Sequence, residues 1–134
     1  MKDLIQLIKE ARFVFVCGNG GSSATAEHLT SDLFSRGINA FCLNSNTSIM
    51  TMIANDFGYE YVFSRQLEVY ATEDDLLITI SCSGTSPNIV NALSVAKMLG
   101  IPSYQFETFT NYFGEGINDV EQDRDYEKLE DKHL

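Results

Sequence analysis

Two short stretches constrain the fold more than any other feature of this chain. Residues 12–17 (RFVFVC) and 75–81 (DLLITIS) are apolar and β-rich without polar alternation. Such runs suit strands buried on both faces, as in parallel sheets covered by helices. Each run passes directly into a loop of glycine and hydroxyl residues and then into helical spacing. After the first comes 18–22 (GNGGS), then a helix over 23–35 carried by Ala24, Ala26, Leu29, Leu33 and Phe34. After the second comes 81–86 (SCSGTS), then a helix over 88–99 stopped by Gly100 and Pro102. The same spacing predicts a helix over 3–11, short strands over 39–43 and 103–107, and helices over 47–54 and 61–70. Asn55, Asp56, Phe57 and Gly58 form a turn between those last two helices, and residues 120–134 are suited to a closing helix. Alternation of this kind implies βαβ units and a three-layer α/β/α sandwich with a parallel sheet of about four to five strands. Ligands of such sheets bind outside the carboxyl ends of the strands, where both loops fall.

Composition narrows what the loops can hold. With 134 residues, 44% of them hydrophobic, the chain has the size of one globular domain. Its longest apolar runs are strand-sized, and its N-terminus has no uninterrupted apolar core of the signal-peptide kind. The three cysteines, Cys17, Cys42 and Cys82, form no CxxC pair and read as reduced thiols of a cytoplasmic protein. The net charge is −10, with eight acids against two bases between Glu115 and Asp131. A chain this acidic repels nucleic acid and anionic membranes, which are bound through Lys and Arg. It has to hold a phosphate locally, on oriented backbone N–H groups and hydroxyls.

The first loop has glycines that let the backbone approach an anion, and Ser22 or Ser23 can cap the helix or reach a phosphate oxygen. Any turn from strand to helix also favours Gly and Ser, so this loop alone leaves phosphate binding and plain turn chemistry both open. It is neither a dinucleotide fingerprint, since Ser23 stands where a third glycine belongs, nor a P-loop, since no lysine lies between Lys9 and Lys97. The second loop has five Ser, Thr or Gly residues out of six, and Pro87 suits the first turn of the following helix. Capping needs one hydroxyl; the rest suit an anion at the positive helix end. No GxSxG elbow is present, and two histidines in the whole chain make a Ser-His-Asp triad improbable. His28 and Asp32 are four residues apart and share a helix face. Metal ligation, a carboxylate base beside a histidine, and an incidental polar pair all fit that spacing.

Taken together, CGNGGSSATAEHLTSDL, ANDFGYEYVFSRQLE and DLLITISCSGTSPNIVNAL resemble the sugar isomerase (SIS) family, in its phosphoheptose isomerase branch, over roughly residues 8–103. The resemblance implies an SIS-fold enzyme that interconverts sedoheptulose 7-phosphate and a heptose 7-phosphate for lipopolysaccharide. It also implies a cytoplasmic homotetramer or dimer, without nucleic acid or membrane partners. It places Ser22, Ser81, Ser83 and Ser86 on the substrate phosphate, with Gly20 and Cys82 in the same loops, and Asn19 and Asp56 on the sugar chain. Cys82 stands where a threonine is usual. His28 matches a zinc ligand, and Asp32 matches a glutamate that is both metal ligand and catalytic base; the shorter arm moves the carboxylate by ~1.5 Å. Glu130 matches a glutamine metal ligand, and His133 the first of two closing histidines; the second is the family's metal-binding catalytic acid, and His133, about one helical turn out of that register, is the candidate acid in this sequence. Against the family pattern, 1–134 reads as a single SIS domain without the usual N-terminal helix and the end of the last helix. A non-catalytic SIS-fold subunit that binds a sugar phosphate or a partner is the competing reading.

Overall fold

The structure is a computed structural model, and it describes residues 2–107. Glu130, His133 and the helix expected over 120–134 lie outside the described residues. Among the described residues four parallel strands form one sheet: β1 (Val14–Gly18), β2 (Ala40–Cys42), β3 (Leu76–Ser81) and β4 (Ser103–Glu107), in the order β2-β1-β3-β4. Side chains alternate between its two faces. Val14 and Val16 of β1, with Leu76, Ile78 and Ile80 of β3, pack under Leu4, Ile8, Ala26, Leu29 and Leu33. Those partners belong to α1 (Leu4–Glu10) and α2 (Gly21–Ser35). Phe15, Cys17 and Leu77 face the other way, onto α3 (Thr47–Asp56), α4 (Ser64–Tyr70) and α5 (Pro87–Leu99). Because both faces are covered, β1 and β3 carry no polar alternation, as their sequences predict.

Local chemistry sets the element ends. Asp3 and Asn46 cap α1 and α3, accepting the N–H of Gln6 at 2.8 Å and of Ile49 at 3.0 Å. Pro87 opens α5, and Gly100 closes it in the left-handed region, at φ 72°. The expected turn at 55–58 is shorter than its composition suggests. Asn55 and Asp56 continue α3, and only Phe57 and Gly58 leave it, both donating to the Ile53 carbonyl. The expected helix over 61–70 is likewise divided: a 3₁₀ turn at Tyr59–Tyr61 precedes α4. Val62 and Phe63, both fully buried, join those pieces with near-helical backbone.

At the opposite end of the sheet from the loops, Asp75 anchors β3 to β1. Its buried carboxylate receives Arg12 Nε at 3.0 Å, Arg12 Nη2 at 2.9 Å, and the N–H groups of Phe13 and Thr72. Burial alone raises a carboxyl pKa, but the Arg12 fork and the two backbone donors outweigh it and hold Asp75 below its usual value.

Candidate active site

The strand order reverses between β1 and β3: β2 lies outside β1, and β4 lies outside β3. Gly18 pairs with Ile80 across that junction, so the loops leaving β1 and β3 emerge side by side. This is the switch point at which open α/β sheets bind ligands. Gly18 has to be glycine. A Cβ there would lie 2.6 Å from the Ser22 carbonyl oxygen and 2.9 Å from that of Ile80, both backbone atoms. Asn44, just beyond β2, brackets the same residue: it accepts the Gly18 N–H at 3.2 Å and donates to the Gly18 carbonyl at 2.7 Å. Gly20 then takes φ 56° and ψ −122°, a conformation natural to glycine, and turns the chain into α2. Ser22 is buried in the first turn of that helix.

The second loop is folded on its own hydroxyls. Ser81 Oγ accepts the Gly84 N–H at 2.9 Å, and Ser83 Oγ accepts the Thr85 N–H at 3.2 Å. Ser86 occupies the cap position of α5, but its hydroxyl makes no capping bond. That leaves it at the positive end of the helix, where Pro87 has no N–H and the N–H groups of Ile89 and Val90 donate to the Ser86 carbonyl. Between the loops opens a cleft of about 620 Å³, lined by Asn19, Tyr59, Glu60, Ser86, Pro87 and Asn88. Among the described residues no lysine or arginine lines it, so an anion there depends on the hydroxyls and side-chain amides of the lining and has to keep clear of the Glu60 carboxylate.

Asn19 is the best-held side chain of the cleft. Its amide pairs reciprocally with that of Asn88, at 2.8 and 2.9 Å, and the Tyr59 hydroxyl donates to its Oδ1 at 3.0 Å. Asn44, Tyr59, Glu60 and Asn88 were not singled out in the sequence. A polar residue at 88, directly after the proline that opens an apolar helix, is the one signal that pointed to any of them. Asp56 is exposed at the end of α3, accepts from Asn55, and does not line the cleft. Cys82 is exposed on the second loop, whereas Cys17 is buried against the core and its thiol is pushed well above the ordinary range by desolvation. No disulfide joins the three cysteines.

His28 and Asp32 lie further along α2, outside the cleft lining, with Nε2 and Oδ2 3.4 Å apart. Donors about 2.1 Å from a tetrahedral ion are ~3.4 Å from each other, so the pair fits two positions of a zinc site. Among the described residues no cluster of three or more His, Cys, Asp or Glu completes such a set. A second, apolar cavity of about 510 Å³ lies beside the edge strand β2, among Phe13, Phe15, Phe41 and Tyr70, away from both loops.

The sheet order, the two loops at its switch point and the cleft between them are the architecture of an α/β domain that binds a small ligand at the ends of its strands. The SIS domain pattern matches residues 2–104, and the chain belongs to that family. Its relatives specify the branch. It is 44% identical over 105 residues to the phosphoheptose isomerase of Aliarcobacter butzleri (strain RM4018), covering 74% of this chain and 56% of that protein. To the phosphoheptose isomerase of Helicobacter pylori (strain Shi470) it is 42% identical over 104 residues, covering 73% and 54%. Among solved structures, phosphoheptose isomerase GmhA from Neisseria gonorrhoeae superposes with a TM-score of 0.72 at 32% identity, covering 76% of this chain and 55% of that one. The chain thus spans about half the length of the curated relatives it matches. The motif-level resemblance and the parallel α/β/α sandwich are both borne out.

Proposed function

We propose that this chain is a phosphoheptose isomerase that binds sedoheptulose 7-phosphate and converts it to a heptose 7-phosphate. The observation that carries the reading is the side-by-side placement of two phosphate-type loops at the switch point, in a chain 44% identical to a relative named for that activity. Ser22, Ser81, Ser83 and Ser86, with the α5 N-terminus, hold the phosphate without a cation; Gly20 keeps the backbone clear; Cys82 adds its thiol in the same loop. Asn19 takes a sugar hydroxyl within the cleft, and Asp56, at the end of α3 beyond that lining, is the second residue assigned to the sugar chain.

The reaction is an aldose–ketose isomerisation through an enediol. A base removes the proton α to the carbonyl, and an acid protonates the neighbouring oxygen. Asp32 is the base and His133 the candidate acid. His28 and Asp32, with Glu130, would hold a zinc ion, which would supply Lewis-acid polarisation of the sugar oxygens. Asp32 reaches less far than a glutamate, so turnover is expected to be slow.

The enzyme works in the cytoplasm as a homotetramer or dimer and supplies heptose for lipopolysaccharide. Exposed Phe41, Met52, Phe57, Val69 and Tyr70, around β2, α3 and α4, support self-association, because they form apolar surface that a second copy can cover. No helix among the described residues is long and apolar enough to cross a membrane.

The test is consumption of sedoheptulose 7-phosphate by the purified chain with added zinc and with chelator. Chelator-sensitive turnover supports the enzyme. Binding of the same sugar without turnover leaves the loops correctly read and the chain a non-catalytic sugar-phosphate binder.

A further inference from the structure

We propose that Asn88 and Tyr59 are positioning residues that lock the Asn19 side-chain amide so that it presents an N–H to an oxygen of the bound sugar. This rests on the reading of the cleft as a sugar-phosphate site. The Asn19 amide has four hydrogen-bonding positions, two lone pairs on Oδ1 and two N–H groups on Nδ2. Both lone pairs are engaged, by Asn88 Nδ2 at 2.9 Å and by the Tyr59 hydroxyl at 3.0 Å. One N–H is engaged, by Asn88 Oδ1 at 2.8 Å. The other meets no acceptor among the described residues, in a residue that lines the cleft.

The pairing fixes the two amides relative to each other. Flipping Asn19 alone would set its NH₂ against the NH₂ of Asn88. Flipping both amides would preserve their pairing but exchange the Tyr59 O–H···Oδ1 bond for one in which the hydroxyl accepts from an Asn19 N–H. Asn88 itself is 2% exposed, so its amide has no water to turn to and stays with Asn19. The three residues come from different segments: the loop after β1, the 3₁₀ turn, and the second position of α5. Because Asn88 is two residues from Ser86, the network also sets the distance between the sugar-contacting amide and the phosphate-binding helix end. A fixed donor at that distance selects a phosphorylated ligand with an oxygen at the right place, over phosphate itself.

The experiment compares wild type, Tyr59→Phe and Asn88→Asp by calorimetric binding of sedoheptulose 7-phosphate and of inorganic phosphate. In parallel, ¹⁵N NMR follows the Asn19 side-chain amide. Tyr59 is exposed, so its variant folds even where Asn88→Asp does not. Sugar-phosphate affinity is expected to fall about threefold in Tyr59→Phe, with phosphate affinity changed less than about twofold; in Asn88→Asp, whose added carboxylate repels both anions, the sugar phosphate is expected to lose about tenfold more affinity than phosphate does. Equal loss for both ligands, or no loss in either variant, overturns the proposal. A wild-type chain that binds phosphate but not the sugar refutes the functional reading instead. The Asn19 amide protons then decide the inference: exchange with solvent that is slow for the Asn88-bonded N–H in wild type and faster in Tyr59→Phe sustains it, and equally fast exchange of both N–H protons in wild type overturns it.

Discussion

Alanine substitution of the three glycines in the first loop should give three different outcomes, because each glycine is there for a different reason. At Gly18 the added methyl would sit 2.6 Å from the Ser22 carbonyl oxygen and 2.9 Å from the Ile80 carbonyl oxygen. Ordinary contact begins at 3.4 Å, so these atoms have to retreat by about 0.8 and 0.5 Å. Neither is a flexible side-chain end: one lies in the first turn of α2, the other in the central strand β3. Relief therefore means prising the loop from the strand it pairs with, and overpacking of this kind costs about 2–3 kcal/mol. For a domain of this size that is a fall in melting temperature of roughly 8–12 °C. At Gly20 a Cβ meets nothing within 4 Å, but φ 56° with ψ −122° strains any other residue by about 1–2 kcal/mol. At Gly21 there is open space and a helical backbone, so alanine should be neutral or stabilise by up to about 1 kcal/mol. Urea unfolding at fixed pH, with thermal melts alongside, measures the series. Phosphate binding should follow the same order, since Gly18→Ala moves the loop away from its neighbour. A Gly18→Ala variant as stable as wild type, or a Gly21→Ala variant as damaged as Gly18→Ala, would refute the steric reasoning.

Other consequences are equally direct. Asp75→Asn should cost roughly 2–4 kcal/mol at neutral pH, because it removes a buried carboxylate from a two-pronged guanidinium and two N–H donors. Since the folded pKa of Asp75 is lowered, its contribution is complete above the unfolded value near ~3.9 and is lost as pH falls through the folded value. The gap between wild type and Asp75→Asn in chemical denaturation should thus narrow as pH falls below about 4; a gap constant from pH 7 to 2.5 would contradict the assignment. Asp32→Asn should lower kcat by about a hundredfold or more and leave sugar-phosphate affinity within about threefold; unchanged turnover would remove Asp32 as the base. Cys82, exposed on the second loop, should react with a thiol reagent well before buried Cys17, and phosphate should slow that labelling; no protection would place the anion elsewhere.

The sequence by itself determined the layers and the loops. Unbroken apolar runs such as LLITI demand cover on both faces, and glycine or proline at 18, 87 and 100 leaves few ways to turn between strand and helix. Those are local properties, carried by neighbours along the chain. Even there, packing moved the boundaries: Asn55 and Asp56, read as a turn, stay helical because the chain does not need to turn until Gly58. What only the tertiary structure decided is the company each site residue keeps. Asn19 and Asn88 are 69 residues apart in sequence, Asn19 and Tyr59 are 40 apart, and Gly18 and Asn44 are 26 apart. Hydrogen bonds across such separations exist because β1 and β3 are neighbours at the switch point, and nothing in the spacing of asparagines announces them. The steric demand at Gly18 has the same origin, since the atom it would strike on β3 is brought there by the sheet. Apolar periodicity reports which face of an element is buried; only packing of the elements against one another decides which polar atoms meet.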